Sequence, residues 1–181
     1  MPLEIYNTLS RSKQPLQPIV PGRVGVYVCG MTVYDYCHLG HARLFMTFDM
    51  AQRWMRVLGL DVTYVRNITD VEDKIIRRAA ENAETPSELT ESMIRYMNED
   101  SAGLGLAVPD AEPRATESIP EIIEMVATLL ERGHAYLTAG TVYFDVSTFE
   151  RFGELSHYSR DRMLKLAEAR GGRPDDPHRR D

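Results

Sequence analysis

The clearest chemical signal in the sequence is a pair of histidines in the segment His38-Leu39-Gly40-His41. An apolar run precedes it and a stretch of helical periodicity follows, so the pair is predicted to open a helix. Unpaired amides at a helix start favour an anion, and two imidazoles there can add hydrogen-bond donors. Each imidazole titrates near neutrality and could be cationic. The pattern indicates a site for a phosphate whose charge grows in a transition state. The alternative is two surface histidines.

The two cysteines are a second source of chemistry. Cys29 ends the apolar run, and Cys37 stands beside the histidine pair. Thiolate and imidazole are zinc ligands, so Cys29, Cys37, His38 and His41 can be drawn as a local zinc site. That site would occupy the imidazoles that a phosphate needs, and its spacing is unlike a zinc finger. From the residues alone, Cys29 fits either a buried small side chain or a metal ligand. Cys37 is expected to pack under the loop.

Strand and helix patterns alternate around these residues. Residues 24–28 predict a strand buried on both faces, and residues 61–65 predict a second strand. Between them, apolar residues recur at helical spacing over residues 40–58, and Gly59 follows as a C-terminal cap. This order predicts an α/β fold in which a parallel sheet carries crossover helices.

Later helices are marked by capping residues. Thr69 or Asp70 is expected to cap a helix that runs to about residue 81. Residues 85–88 form a capping box with proline at the first helical position, and residues 118–121 repeat that pattern.

The order of predicted helices and strands changes near residue 110. Residues 1–110 carry the α/β pattern, whereas residues 111–181 mix helix with short strands. A hairpin is predicted around residues 138–140, and residues 171–177 are linker-like. We therefore expect two regions with a boundary at about residue 110.

Composition restricts the class of protein. The chain has 181 residues and a formal net charge of −6, which argues against a general nucleic-acid coating protein. No apolar stretch is long enough for a membrane span, and the first residues lack a secretory signal. Two cysteines make no disulfide framework, so a cytoplasmic setting is expected. Arginines crowd the C-terminal tail, which fits a solvated tail better than an RNA contact.

A family resemblance adds to these observations. His38-Leu39-Gly40-His41 resembles the HIGH motif of class I aminoacyl-tRNA synthetases, and residues 29–35 resemble the cysteinyl-tRNA synthetases in particular. Residues 64–70, 73–75, 112–116 and 133–136 belong to the same pattern. The resemblance implies the HIGH-containing half of a Rossmann-like catalytic domain over residues 1–110. Residues 111–181 would then be part of an α+β connective-peptide insertion that ends in a linker.

The resemblance implies a reaction in two steps. Cysteine attacks the α-phosphate of ATP to give cysteinyl-adenylate, and the cysteinyl group then passes to tRNA(Cys). His38 and His41 would act as catalytic residues that hold the phosphates, and Thr32 and Gly40 would complete the ATP site. Gly40 would let the nucleotide pack close. Mg²⁺ is expected to accompany ATP, and catalysis would rest on positioning and electrostatics.

The resemblance also implies a zinc site that binds the substrate thiolate. Cys29 would be one zinc ligand, and Gly30 and Thr69 would line the cysteine pocket. Because zinc prefers thiolate to hydroxyl, the site would reject serine. One Zn²⁺ is expected per full-length subunit, with the other ligands beyond residue 181. That subunit is expected to be monomeric.

Parts of the family pattern are absent from the chain. No KMSKS-like sequence is present, and the anticodon-binding helices have no counterpart. We therefore expect an incomplete portion of a cysteine-tRNA ligase with little or no activity by itself. A sheet without its second half would also leave an unpaired edge.

Three alternatives stay open. A mycothiol-type ligase that joins cysteine to an amino sugar shares the adenylation chemistry and the zinc thiolate. A non-catalytic short paralogue that binds nucleotide, metal or a protein would explain the missing motif, but it would not need the histidines and Cys29. Small nucleotidyltransferases also use His-x-Gly-His, but they close their sheet within a similar length.

Overall fold

The computed structural model describes residues 3–169, which form two compact units. One unit comprises residues 18–119, and the other combines the described parts of residues 1–17 and 120–181. The helices and strands follow in chain order: β1 (Glu4–Asn7), β2 (Ser12–Pro15), β3 (Arg23–Val28), α1 (Leu39–Val57), β4 (Asp61–Arg66), α2 (Asp73–Glu81), α3 (Pro86–Gly103), α4 (Ile119–Glu131), β5 (Ala135–Thr138), β6 (Thr141–Phe144) and α5 (Arg160–Ala169).

The unit of residues 18–119 is built on a parallel strand pair. Strand β3 pairs with β4 in a register that runs from Arg23↔Asp61 to Val28↔Arg66, and α1 makes the crossover between them. This strand–helix–strand arrangement confirms the α/β prediction for this region. Because the carboxyl ends of parallel strands share one edge, the loops that follow β3 and β4 meet there.

Burial along β3 differs from the expectation of a strand covered on both faces. Val24 and Val28 are buried, whereas Gly25 is exposed and Tyr27 is 66% exposed. Strand β4 alternates in the same way, with its even-numbered residues buried. The expectation was wrong because the described residues pack on only one face of the pair, so side chains alternate between core and solvent.

Helix α1 ends at a left-handed glycine, as predicted. Gly59 has φ +85°. Its N–H donates to the Arg56 carbonyl at 3.0 Å, and the Leu60 N–H donates to the Met55 carbonyl at 3.1 Å. This pair of bonds is a Schellman motif, which turns the chain from α1 into β4.

An extended segment, residues 110–115, lies along the free side of β4. The Arg66 N–H donates to the Ala111 carbonyl at 3.1 Å, and the Ile68 N–H donates to the Pro113 carbonyl at 2.9 Å. The isolated bridges in this segment are parallel. Strand β4 is therefore paired on both sides, which the sequence pattern did not predict.

The core of this unit lies between the strand-end loops and the helices. One buried cluster joins both loops to α1 and α3: Met31, Val33, Phe45, Ile68, Ile94 and Met97. A second joins α2 to α3: Ile75, Ala79 and Leu89. These clusters set the first turn of α1 beside the carboxyl ends of the strands.

Two of the three predicted helix caps are wrong. Glu72, and not Thr69 or Asp70, caps α2, because the Asp70 carboxylate is already engaged by Thr116 through its N–H at 2.9 Å and its hydroxyl at 2.5 Å. The capping box of residues 85–88 is confirmed at the start of α3. The box predicted for residues 118–121 does not form, because a 3-10 turn over Thr116–Ser118 leads directly into α4.

The other unit contains two antiparallel hairpins. Strands β1 and β2 form the first, which the sequence analysis did not predict. Strands β5 and β6 form the predicted second hairpin, with Ala139 (φ 47°) and Gly140 (φ 81°) in its turn. Helix α4 ends at the left-handed Gly133, as expected. The predicted linker of residues 171–177 lies outside the described residues.

No helix among residues 3–169 is both long and apolar enough to cross a membrane. The two compact units are defined by packing, whereas the predicted boundary near residue 110 separates a catalytic domain from its insertion. That boundary stays a prediction.

Candidate active site

Two imidazoles cap the first turn of helix α1. His38 is the N-cap residue with extended backbone, and its Nδ1 accepts a hydrogen bond from the Gly40 N–H at 3.0 Å. In return, His41 Nδ1 accepts from the His38 N–H at 3.3 Å. The two rings thus form a capping box, a role that serine or threonine and glutamate usually fill. The first turn of α1 holds no acidic residue.

This arrangement selects one tautomer for each ring. Because both Nδ1 atoms accept from backbone N–H groups, the ring protons lie on Nε2. Burial of the His41 ring, helped by the neighbouring His38, lowers the pKa of His41 below its ordinary value. The sequence analysis allowed cationic imidazoles, whereas the lowered pKa of His41 favours its neutral ring. Each ring keeps one Nε2–H donor that its cap bond does not use.

The imidazoles are part of a stack of flat groups. The ring centroids of His38 and His41 are 3.9 Å apart, with 17° between their planes. Phe45, one turn further along α1, has its ring centroid 6.5 Å from that of His41, at 24°. The guanidinium carbon of Arg66 lies 4.3 Å from the Phe45 ring centroid. The stack runs from exposed His38 to buried Arg66.

Gly40 leaves room for its neighbour's ring. A β-carbon at Gly40 would lie 2.7 Å from Cε1 and 2.9 Å from Nδ1 of His38. The sequence analysis reserved this space for a nucleotide. In the structure the His38 ring occupies that space, so the capping position of His38 is what requires glycine at position 40.

The turn after β3 presents the predicted metal ligand. Cys29 is exposed, and its thiol donates to the Gly30 carbonyl at 3.5 Å. The Gly30 N–H donates to Asn67 Oδ1 at 2.8 Å, and a β-carbon at Gly30 would lie 1.6 Å from the Asn67 carbonyl oxygen. Only glycine fits this close approach between the two strand-end loops.

The same loops bring Thr32 and Thr69 together. These two residues form a parallel bridge. The Val33 N–H donates to the Thr69 carbonyl at 3.1 Å, and the Thr69 N–H donates to the Met31 carbonyl at 3.2 Å. The structure therefore gathers the predicted cysteine-binding residues and Thr32 at the carboxyl ends of β3 and β4, where α/β sheets bind ligands.

Arg66 connects the strand-end loops to the histidine cap. Its guanidinium lies over Phe45, and its Cγ would be 3.6 Å from a β-carbon at Gly30. All the predicted site residues thus belong to one end of the sheet. The imidazole pair and the strand-end loops form two groups that meet at Arg66.

Cys37 packs as the sequence analysis expected. It is half-buried against the core cluster, with its sulfur 3.3 Å from the sulfur of Met31. Burial raises the pKa of the Cys37 thiol, which disfavours the thiolate form that binds metal.

The donor groups fit a zinc site in part. Within residues 3–169, no three or more His, Cys, Asp or Glu side chains are grouped so as to hold a metal ion. Cys29 fits as a single ligand, because its thiol is exposed and bonds only to its neighbour's carbonyl. The residues described here supply one soft donor, which is the kind that zinc prefers.

A cavity of about 600 Å³ lies beside the first turn of α1. Its lining includes His38, Cys37 and Phe45, together with Glu99 and Asp100 from α3. Among the described residues, no lysine or arginine lines this cavity, and the Glu99 carboxylate is already paired with Arg95 at 3.1 Å, so the cavity is a poor match for a nucleoside triphosphate.

Sequence reasoning missed the polar pairs that support the site. Arg66 donates to Glu112 Oε1 from Nε at 2.9 Å and from Nη2 at 2.5 Å. Asp70 holds Thr116, and Arg114 pairs with Glu91. Two family-like segments, residues 64–70 and 112–116, contain most of these residues. The first two pairs each link positions 46 apart, so nothing local indicated the partners.

Comparison with known proteins gives a consistent set of matches. The family model described as "tRNA synthetases class I (C) catalytic domain" matches residues 15–179. A cysteine–tRNA ligase of Methylobacillus flagellatus is 55% identical over 182 residues, covering 99% of this chain and 39% of that protein. One of Cupriavidus taiwanensis is 57% identical over 156 residues, covering 86% and 34% respectively. The chain thus spans well under half the length of these curated relatives.

A solved structure supports the fold. A LeuRS of Agrobacterium radiobacter, in a ternary complex with tRNA and LeuAMS, matches with a TM-score of 0.58 and 17% identity. The match covers 84% of this chain and 24% of that one. At this identity the likeness concerns the α/β fold alone.

Proposed function

Because the chain belongs to the family of class I (C) tRNA synthetase catalytic domains, we propose that it is part of a cysteine–tRNA ligase. Such an enzyme activates L-cysteine with ATP and transfers it to tRNA(Cys). One observation carries the proposal. The two imidazoles that cap α1 each keep a free Nε2–H donor, at the same end of the sheet as the Cys29–Gly30 turn.

His38 and His41 bind the ATP phosphates in this proposal. The Nε2–H groups donate to phosphate oxygens, and together with the positive end of the α1 dipole they stabilise the charge that grows on the α-phosphate as cysteine attacks. Thr32 and Gly40 complete the ATP site, and Mg²⁺ accompanies the nucleotide. No covalent enzyme intermediate is needed, so these residues act by orientation and electrostatics.

Cys29 recognises the amino acid as one ligand of a zinc ion. The ion, when bound, supplies a soft Lewis acid that holds the substrate thiolate and discriminates against the hydroxyl of serine. Gly30 and Thr69 shape the cysteine pocket from the two strand-end loops. The remaining ligands lie outside residues 3–169 in this proposal.

The layout of the longer enzyme is also a proposal. Residues 1–110 form the first half of a Rossmann-like catalytic domain, and residues 111–181 belong to its connective insertion. The full-length ligase works as a cytoplasmic monomer with tRNA(Cys) as its partner. Two cysteines without a disulfide suit a reducing compartment.

Nucleotide binding can be tested on the chain itself by NMR of its imidazoles. On titration with MgATP, we expect the ring resonances of His38 and His41 to shift because their Nε2–H groups meet phosphate. His134 and His157 are controls, since their rings already bond to Thr148 and to the Thr8 carbonyl in the other unit. Unchanged resonances of His38 and His41, or equal shifts of all four rings, would contradict the proposal.

Activity of the chain alone should be low. In cysteine-dependent ATP–pyrophosphate exchange, we expect a rate near background, because one zinc ligand does not hold the metal firmly. The reference is the full-length ligase of Methylobacillus flagellatus under the same conditions. A rate close to that reference would show that this chain already contains everything the adenylation step needs.

A further inference from the structure

Arg66 is a buried cation at the carboxyl end of β4. The residue is 3% exposed. Its guanidinium donates from Nε and Nη2 to a single oxygen of Glu112, at 2.9 and 2.5 Å. A buried ion pair often contributes little to stability, because removing both charges from water costs nearly as much as their attraction returns. Its presence here calls for a role beyond holding the fold.

Arg66 lies close to several elements of the candidate site. The guanidinium carbon lies over the Phe45 ring of α1, 4.3 Å from the ring centroid. Its Cγ would lie 3.6 Å from a β-carbon placed on Gly30, in the turn that presents Cys29. Its charge pairs with Glu112 of the extended segment. One side chain therefore lies close to the helix with the imidazole cap, the cysteine turn and the strand that borders β4.

The stack transmits the position of Arg66 to a ring that the reaction uses. Phe45 is 3% exposed and neighbours both groups: its ring centroid lies 4.3 Å from the guanidinium carbon and 6.5 Å from the His41 ring centroid. His41 must keep its plane for Nδ1 to accept from the His38 N–H, a bond that is already long at 3.3 Å. A loose Phe45 would free the His41 ring to turn and lose that bond.

We propose that Arg66 is a positioning residue that acts through Phe45 to hold the His41 imidazole with its Nε2–H directed at the phosphate site. This role rests on the proposed function, because it serves an ATP phosphate. Arg66 itself touches no reacting atom. The planar guanidinium is essential to this role, since a flat group stacks on an aromatic ring and an ammonium does not.

The competing explanation is that Arg66 only neutralises Glu112. Lysine could then replace it, because an ammonium also pairs with a carboxylate. The substitution Arg66→Lys separates the two roles: it keeps the charge and removes the flat surface. Phe45→Leu is the complementary change, because it keeps the Arg66–Glu112 pair and removes the ring that transmits the contact.

The test is ¹⁵N NMR of the imidazole nitrogens in the 181-residue chain. In the unsubstituted chain, His38 and His41 should both show the Nε2–H tautomer. In Arg66→Lys and in Phe45→Leu, we expect His41 to move toward the tautomer mixture of a free imidazole. His38 should keep its Nε2–H tautomer, because its Nδ1 accepts from the Gly40 N–H, a bond that neither substitution removes. Arg53→Lys, which changes the cation paired with Asp49 on α1, should leave both rings unchanged.

His38 serves as the internal control for folding. If one of the two variants unfolds, both of its rings lose their tautomer preference together. The proposal is then judged on the His41 tautomer of the variant that folds. A His41 signal that stays at its original position in folded Arg66→Lys or folded Phe45→Leu would overturn the proposal. A selective change in His41 supports it.

The result is separable from that of the proposed function. If MgATP does not shift the imidazole resonances but the His41 tautomer changes in Arg66→Lys, the proposed ATP site is contradicted and the positioning role of Arg66 is supported. If MgATP shifts both rings equally in the unsubstituted and Arg66→Lys chains, the nucleotide site stands and the positioning role fails. In the full-length ligase, we expect Arg66→Lys to raise the KM for ATP several-fold with the KM for cysteine little changed.

Discussion

The two compact units bury different kinds of residue. The unit of residues 18–119 buries charged and polar side chains as well as apolar ones: Asp49, Gln52, Arg66, Asp70 and Thr90. Among the described residues of the other unit, Tyr136 alone is buried, at 9% exposure. Buried polar groups need partners of fixed geometry. The unit that carries the candidate site is thus also the one whose interior is specified by polar contacts.

The difference shows that helical periodicity does not by itself predict burial. Helix α4 has the apolar spacing of a core helix, yet Ile123 and Met125 are 63% and 67% exposed. In α1, similar spacing buries Phe45 and Met55. The difference lies in what packs against each helix within its own unit, which no local pattern records.

The largest expected effect comes from the closest contact in the site-bearing unit. Gly30→Ala would place a carbon 1.6 Å from the Asn67 carbonyl oxygen, so the two strand-end loops must separate. We expect a loss of about 3 kcal/mol or more in the free energy of unfolding. Urea unfolding followed by fluorescence of Trp54, the chain's sole tryptophan, reports on α1 and so on this unit.

Gly25→Ala is the matched control for that substitution. Gly25 lies on β3, just before the turn that holds Gly30, but a β-carbon there meets no atom within 4 Å. We expect a change within about 0.5 kcal/mol, as for other surface substitutions. Equal losses in the two variants would mean that the contact with Asn67 does not limit the choice of residue at Gly30.

A smaller effect is expected from the buried carboxylate on α1. Asp49 accepts hydrogen bonds from the Ala107 N–H at 2.9 Å, Arg53 at 2.7 Å and Gln52 at 3.0 Å. Asp49→Asn removes the charge and one acceptor, and we expect it to cost about 2 kcal/mol at neutral pH. Asp61→Asn is the control, because the pair of Asp61 with Arg23 is about three-quarters exposed on both sides.

The pH dependence of that difference has a definite sign. Burial alone would raise the pKa of Asp49, but the hydrogen bonds from Ala107, Arg53 and Gln52 outweigh it, so the pKa is lowered. The stabilisation is therefore complete above the ordinary carboxyl pKa and is lost as the pH falls through the lower, folded-state pKa. Urea midpoints of the original chain and Asp49→Asn should converge in acid. A constant gap down to the lowest pH that permits folding would exclude a charge effect.

The smallest expected effect concerns a helix start away from the site. The Thr85 hydroxyl accepts from the Glu88 N–H at 3.2 Å, and Glu88 accepts from the Thr85 N–H at 2.8 Å. Thr85→Ala should cost about 1 kcal/mol, measured by the same urea method. Glu88→Gln should cost less, because glutamine also completes a capping box. The reverse order would show that charge at the helix start outweighs the threonine cap.

Local features of this fold were predictable, and contacts across the chain were not. The β3–α1–β4 crossover, the glycine ends of α1 and α4 and the β5–β6 hairpin are confirmed, because each follows from periodicity or turn residues over a few positions. The family resemblance, which rests on motifs spread along the chain, is confirmed as well. The caps proposed at Asp70 and Ser118 were wrong. Each side chain has another partner, Thr116 for Asp70 and the Arg114 carbonyl for Ser118. A capping rule considers only residues adjacent in sequence, so it does not account for other hydrogen-bond partners that compete for the same side chain.

The candidate site divides in the same way. The histidine pair at a helix start was predicted from the apolar run before it and the helical periodicity after it. Arg66 and Glu112 went unnoticed as a pair, since their contact depends on residues 110–115 lying along β4. The metal, nucleotide and cysteine roles of the predicted residues stay predictions until a ligand is measured.

The imidazole cap has a consequence for how this helix could change by mutation. Serine, threonine and aspartate are the residues that start helices most favourably, so replacing His38 by one of them need not weaken α1. Their side chains, however, would accept the backbone hydrogen bond but have no counterpart of the imidazole Nε2–H donor. Selection for helix stability alone would therefore favour serine, threonine or aspartate at position 38. A functional requirement for the Nε2–H group is what would retain histidine there.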